Sequence, residues 1–382
     1  MSQMKSKINE RFPSIRRNSN VNGNNYCIIM AGGFGSRFWP ICRDSSPKQF
    51  IDILGNGRSM LQTTFARFER VCPRENIIIV THRQYVDRVR EQIEGLLPYQ
   101  VLGEPTRRNT APCVAYAASV IHEMNPNANV IVTPSDHAIF GEDRFVKDLE
   151  QALKLTASND CIVTIGVRPT TPNAQYGYIQ FSEEPVADNA RNLHRVITFT
   201  EKPPVEMARQ FIATGEFFWN AGVYVWSLAT LRREYEHYLP SVAKSFFDLR
   251  LSSTQEEVEQ VYSLSESISV DFGIMEHAED VYVLEASFGW SDIESWDSLY
   301  GTCVRDAAGN GVVMGHSFLY DVKDTLVHVP QNRTVVLQGL EGYIVAADED
   351  TILVCRRGEE DRIAKFASDV ELYNLKKEKS EK

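Results

Sequence analysis

Two cations follow a glycine-rich turn in this chain. Ala31-Gly32-Gly33-Phe34-Gly35-Ser36-Arg37 comes directly after the apolar run Tyr26-Cys27-Ile28-Ile29-Met30, and Pro47-Lys48-Gln49 lies a short way downstream. Glycines after a buried strand leave backbone N–H groups open to a phosphate, and Arg37 and Lys48 supply charge to neutralise a polyphosphate. Two familiar phosphate loops do not fit. A dinucleotide-binding turn needs a third glycine where Phe38 stands, and no Gly-Lys-Ser/Thr follows at the spacing of a P-loop.

Carboxylates occur at comparable positions. The run Asn129 to Thr133 leads into Pro134-Ser135-Asp136-His137, and Val281 to Ala286 leads into Gly289-Trp290-Ser291-Asp292. Asp136 and Asp292 beside a triphosphate are the oxygen donors that Mg²⁺ prefers. Asp292 has a second reading as the N-cap of a helix starting near Ile293. His137 fits a loop hydrogen bond better than a magnesium site, which favours oxygen. Glu201-Lys202 in FTEKPP sets a carboxylate beside an ammonium; the pair fits sugar hydroxyls and a phosphate, or a solvated turn. Tyr176-Gly177-Tyr178 and Trp219-Asn220-Ala221-Gly222 mix aromatics, amide and glycine as carbohydrate pockets do, and core aromatics are the other reading. Asn109 and Thr110, after Arg107-Arg108, are placed either to cap a helix or to meet a nucleobase.

The elements that must hold these residues follow from periodicity. Short apolar runs alternate with amphipathic ones from Tyr26 to Val167, which predicts a Rossmann-like, mostly parallel sheet covered by helices. Between Pro169 and Ala286 shorter strands are expected at Tyr176 to Phe181, His194 to Thr200 and Gly222 to Trp226. Asp292 to Tyr300 reads as a helix. Beyond Gly301, β-rich pieces recur at near-regular spacing, as in a sandwich, a barrel or a β-solenoid. Expected boundaries are a flexible tail over 1–24, a catalytic domain over 25–300, a β-rich domain over 301–372 and a charged tail over 373–382.

At 382 residues with 43% hydrophobic and 24% charged content, the chain has an ordinary globular composition. A net charge of −11 argues against nucleic acid as a partner. Seven scattered cysteines without a CxxC pair read as buried thiols. No secretory h-region or membrane-length apolar run stands out, so the expected location is cytoplasmic.

In this order, AGGFGSRFWP with SPKQF, GEPTRRNTAP, TPSDH, PTTPNAQYGYI, FTEKP, FFWNAGVYVW and GWSDIESW resemble the mannose-1-phosphate guanylyltransferases, a branch of the sugar-nucleotidyltransferases. The resemblance implies transfer of GMP from GTP to α-D-mannose 1-phosphate with Mg²⁺ as cofactor. It assigns Arg37 and Lys48 to the triphosphate and leaving pyrophosphate, and Gly32, Gly33, Gly35, Ser36, Asn109 and Thr110 to the nucleotide. Gly177, Glu201, Lys202 and Asn220 fall to the sugar phosphate, and Asp136 and Asp292 to the metal. It further implies a left-handed β-helix after the catalytic domain and a homodimer. The isomerase domain of larger relatives is not expected, because the sequence stops at Lys382. Rival readings are another nucleotide or hexose in the same fold, or a non-catalytic sugar-nucleotide-binding subunit.

Overall fold

A computed structural model describes residues 22–33, 36–186 and 191–380. The expected flexible tail lies outside these residues but for its last three, and so does Gly35. The chain divides into two compact units, each built from non-contiguous stretches.

The first unit takes residues up to Gly32, then 65–135 and 139–290. Its core is a nine-stranded sheet of β1 (Asn25–Ala31), β2 (Ile77–His82), β3 (Val101–Glu104), β4 (Asn129–Pro134), β6 (Ile162–Val167), β7 (Tyr178–Pro185), β8 (Leu193–Thr200), β9 (Phe217–Ser227) and β10 (Val281–Glu285). The strand order is β3-β2-β1-β4-β9-β6-β10-β8-β7. Seven strands share one direction, while β8 and β9 oppose them. NYCIIMA in β1 and NVIVTP in β4 are apolar on both faces because β1 is central and helices cover the sheet. Helix Thr110–Met124 packs closely because Ala111, Ala115, Ala117 and Ala118 give it a small buried face.

The sequence expects only a short strand at Gly222 to Trp226, whereas β9 runs for 11 residues. It carries Trp219 and Asn220 into the sheet interior. The polar Asn220 is tolerated there because its amide is fully hydrogen-bonded, as the site shows below.

The second unit comprises 33–64, 136–138 and 291–382. Phe38, Ile41, Cys42 and Ile53 of the glycine loop pack with Ile293, Trp296, Leu299 and Leu326, and Phe38 meets Trp296 edge-on at 5.0 Å. Beyond Gly311, β12 (Gly311–Met314), β14 (Leu326–His328) and β16 (Tyr343–Ala347) pair in parallel. So do β13 (His316–Tyr320) and β15 (Thr334–Gln338), and β17 (Ile352–Arg356) closes antiparallel on β16. Parallel pairing between strands this close in sequence is the signature of β-helix-like coils, and it excludes a hairpin sandwich. The charged stretch after 372 is helical to Ser380, as the end of helix Ile363–Ser380.

The expected helix from Asp292 begins later. Asp292 ends the strand β11 (Gly289–Asp292), which pairs with β5 (His137–Phe140), and the helix spans Trp296–Thr302. Ser295 is its cap, accepting from the Ser298 amide at 3.3 Å, so Asp292 is not spent on capping. Among the described residues no helix is long and apolar enough to cross a membrane.

Candidate functional site

Each unit gathers its own polar cluster. In the second unit Lys48 lies at the start of a short 3₁₀ turn, Lys48–Phe50, with its side chain turned inward and 5% of the residue exposed. Its Nζ donates to Ile293 O at 2.6 Å, lies 2.7 Å from Asp136 Oδ2 and is 3.7 Å from Asp292 Oδ1. Burial alone would depress this ammonium, but Asp136 and Asp292 outweigh it and hold it above the ordinary lysine range. Burial likewise works to raise Asp136, while Lys48 and then His137 pull it below the usual carboxylate value. Asp136 directly precedes β5 and Asp292 ends β11, and the pairing of these two strands is why two residues so far apart in sequence converge.

One ligand atom each from Asp136, His137 and Asp292 lies within 4.8 Å of the other two. Two carboxylates that already draw in an ammonium form a donor set suited to a small, oxygen-seeking divalent cation. Glu294, not singled out from sequence, joins them. Its carboxyl is pushed up to about 8 by burial, then by Asp292, and it faces Arg37 Nη1 at 3.5 Å. Arg37 itself is exposed. Gly33 is open, with no atom near where a Cβ would stand.

In the first unit, three hydrogen bonds support the stretch around Asn109. Asn109 adopts a left-handed φ of 67° and its Oδ1 accepts from the Thr110 amide at 2.9 Å, which realises the capping reading. Thr110 Oγ1 accepts from Val270 N at 2.9 Å. Arg107 Nε donates to Gly32 O at 2.9 Å, tying this stretch to the end of the strand before the glycine loop. Glu104, 4% exposed at the end of β3, accepts from the Tyr262 hydroxyl at 2.9 Å. Burial raises its carboxyl to about 7, with the tyrosine bond and Arg107 working the other way.

The Glu201–Lys202 pair lies beyond β8. Lys202 has a left-handed φ of 48° and its Nζ donates to Glu201 Oε1 at 2.9 Å. A positive φ on a residue with a long side chain is backbone strain that re-aims the ammonium. Gly177 makes room for the carboxylate: a Cβ there would sit 2.5 Å from Glu201 Oε2 and 3.2 Å from Asn220 Cβ. Asn220 is 8% exposed and spends its whole amide internally. Oδ1 accepts from Thr164 Oγ1 at 3.2 Å and Gly222 N at 3.1 Å, while Nδ2 donates to Tyr224 Oη at 2.8 Å and Asp271 Oδ1 at 3.0 Å.

Asp271 also accepts from the Tyr224 hydroxyl. It opens a π-helical turn, Asp271–Met275, a geometry frequent at functional sites. Burial, and secondly Asp271, raise the carboxyl of Glu201. The only sequence signal for Asp271 is a lone carboxylate in the otherwise apolar Val270-Asp271-Phe272-Gly273-Ile274-Met275. The aromatic neighbours are core: Tyr178 and Trp219 are buried, and Tyr176 meets Trp219 and Trp290 edge-on at 5.1 and 5.3 Å.

Comparison with known proteins places this geometry. A family model described as nucleotidyl transferase matches residues 26–308. A mannose-1-phosphate guanylyltransferase of Sinorhizobium fredii is 32% identical over 336 residues, covering 86% of this chain. The chain spans 64% of that relative's length. The protein of the same name from Escherichia coli K12 is 32% identical, with 87% of this chain and 70% of the relative covered. A crystal structure from Thermus thermophilus, described as a mannose-1-phosphate geranyltransferase, superposes with a TM-score of 0.82. Its identity is 28%, with 91% of this chain and 99% of that one covered.

Proposed function

The chain belongs to the nucleotidyl transferase family, alongside the mannose-1-phosphate guanylyltransferases, and from that premise we propose that it transfers GMP from GTP to α-D-mannose 1-phosphate. An oxygen of the sugar phosphate attacks the α-phosphorus of GTP. The bond from the α-phosphorus to the bridging oxygen breaks, and pyrophosphate leaves with both bonding electrons. The nucleophile is already anionic, so no general base is needed, and catalysis consists of alignment and charge neutralisation.

The observation that carries this reading is the inward-facing Lys48 between Asp136 and Asp292. Arg37 and Lys48 balance charge on the triphosphate and on the departing pyrophosphate. Backbone N–H groups of Gly32, Gly33, Gly35 and Ser36 serve its oxygens, while Asn109 and Thr110 support the base end. Asp136 and Asp292 would hold Mg²⁺, which when bound neutralises and orients phosphate oxygens. Lys202 takes the sugar phosphate, and Glu201 takes sugar hydroxyls across the space that Gly177 leaves. Asn220 acts by holding Tyr224 and Asp271 in place.

The proposal includes a cytoplasmic location and a homodimer; support for the homodimer is the outward Phe318, Tyr320 and Val336 on β13 and β15. The deciding experiment is pyrophosphate release over paired nucleotides and hexose 1-phosphates. GTP with mannose 1-phosphate should be turned over best; comparable turnover of UTP with glucose 1-phosphate would refute the assignment.

A further inference from the structure

In the second unit one side chain sits where a metal ion would bind. The Lys48 ammonium lies among Ile293 O, Asp136 Oδ2 and Asp292 Oδ1, at 2.6, 2.7 and 3.7 Å. Asp136 and Asp292 also supply ligand atoms to the cluster whose donors lie within 4.8 Å of one another. The ammonium and a metal ion would thus compete for the same carboxylates. A divalent ion placed there would meet a buried positive charge at contact distance, with little water to screen it. Lysine suits such a temporary occupant: its charge is a point at the end of a flexible four-carbon stem, and it can leave without moving the backbone. Its natural destination is a phosphate oxygen.

Resting on the metal site proposed above, we propose that Lys48 fills the cation position in the nucleotide-free protein. The site therefore takes up a divalent ion already carried on a nucleoside triphosphate and discriminates against the free ion. The phosphates supply the negative charge that draws the ammonium off Asp136 as the carboxylate turns to the incoming cation. One cation leaves the carboxylates as another, of higher charge, arrives with the phosphates, and the ammonium stays paired. Lys48 thus has two successive partners, a carboxylate pair before substrate and a polyphosphate after it. In its first role it also keeps Asp136 and Asp292 from repelling each other, so the site is preformed when the nucleotide arrives.

Direct binding of Mn²⁺ to the full chain, followed by electron paramagnetic resonance, tests this without relying on turnover. Wild type should bind Mn²⁺ alone at least about tenfold more weakly than it binds Mn²⁺–GTP. Lys48→Met should tighten binding of Mn²⁺ alone by about tenfold or more, and the advantage of Mn²⁺–GTP should shrink. Lys48→Arg, which keeps the charge, should stay as weak as wild type. Lys48→Gln, able to keep a bond to Ile293 O, serves if the methionine variant fails to fold, and is expected to behave like it. The thermal midpoint of either neutral variant should rise more with Mn²⁺ than that of wild type. Equal or weaker binding of free Mn²⁺ by a folded neutral variant overturns the proposal. Failure of folded wild type to bind Mn²⁺–GTP overturns the metal site itself, and the proposal with it.

Discussion

Replacing Gly177 with alanine adds one methyl at a place where the consequences can be worked from distances. The new Cβ would stand 2.5 Å from Glu201 Oε2, 3.2 Å from Asn220 Cβ and 3.4 Å from Phe199 Cζ. A separation of 2.5 Å is impossible for carbon and oxygen out of covalent contact, so the Glu201 carboxylate must turn away. Asn220 Cβ on β9 is fixed to the backbone and gives little, and the Phe199 ring on β8 is buried and already at ordinary contact distance. Because the nearest atom is the end of a side chain, the folding cost should fall at the low end of overpacking, about 1 kcal/mol. The catalytic cost should be larger. If Glu201 accepts a sugar hydroxyl, moving it forfeits a charge-assisted hydrogen bond of about 1.5–3 kcal/mol. That corresponds to roughly 10- to 150-fold in kcat/KM for mannose 1-phosphate. Steady-state kinetics with each substrate varied in turn should show the loss on the sugar phosphate, with the KM for GTP within about twofold of wild type. An unchanged sugar-phosphate kcat/KM, in a variant whose melting confirms the fold, would show that Glu201 does not read the sugar.

Three further expectations follow from the same geometry. Asp271→Asn removes the like charge that, after burial, raises the carboxyl of Glu201, so the acid limb of the sugar-phosphate pH profile should move to lower pH; a superimposable profile removes Asp271 from the site. His328 is buried in the coils, and burial lowers its imidazole below the ordinary 6.5, so the unfolded chain binds a proton that the folded one does not as pH falls below that value. Stability should therefore decline with acidification through that window, and His328→Leu should flatten the slope in urea titrations; parallel slopes would count against it. Gly166→Ala places a Cβ 2.5 Å from Val283 Cγ2 and 2.8 Å from Phe218 Cβ in the sheet interior, and should cost about 1–3 kcal/mol by urea denaturation, a value near zero being the contrary result.

Much of this arrangement is legible in the sequence because strand exits advertise themselves. An apolar run that breaks into glycine, or into Pro-Ser-Asp, marks both a sheet strand and the rim residue that follows it, which is how Lys48 and Asp136 stand out from residue order alone. Asp292 is ambiguous for a local reason: a carboxylate shortly before a helix looks like a cap, and only the position of Ser295 resolves it. Glu104, Tyr224, Glu294 and Asp271 are not legible. Each is a polar group whose meaning comes from a partner distant in sequence, such as Tyr262 for Glu104 and Asn220 for Asp271. The β-rich end is recognisable as β, but its parallel pairing is not, because near-regular spacing serves solenoids and sandwiches alike.

The composition of the second unit has a consequence for how this protein can be made. Its three stretches lie far apart in the chain, and the last starts at residue 291. On the ribosome the sheet strands β1 to β4 emerge early, but Phe38, Ile41 and Ile53 must wait for Trp296, Leu299 and Leu326 before they have anything to pack against. Until then Lys48 also lacks Ile293 O and Asp292. A nascent chain thus carries a hydrophobic, cation-bearing loop while the whole large sheet is being made, and gains the polar cluster around Lys48 only afterwards. Trimming the chain back to that sheet would leave the loop permanently unfinished, so the coiled strands beyond Gly311 cannot be treated as a detachable appendage.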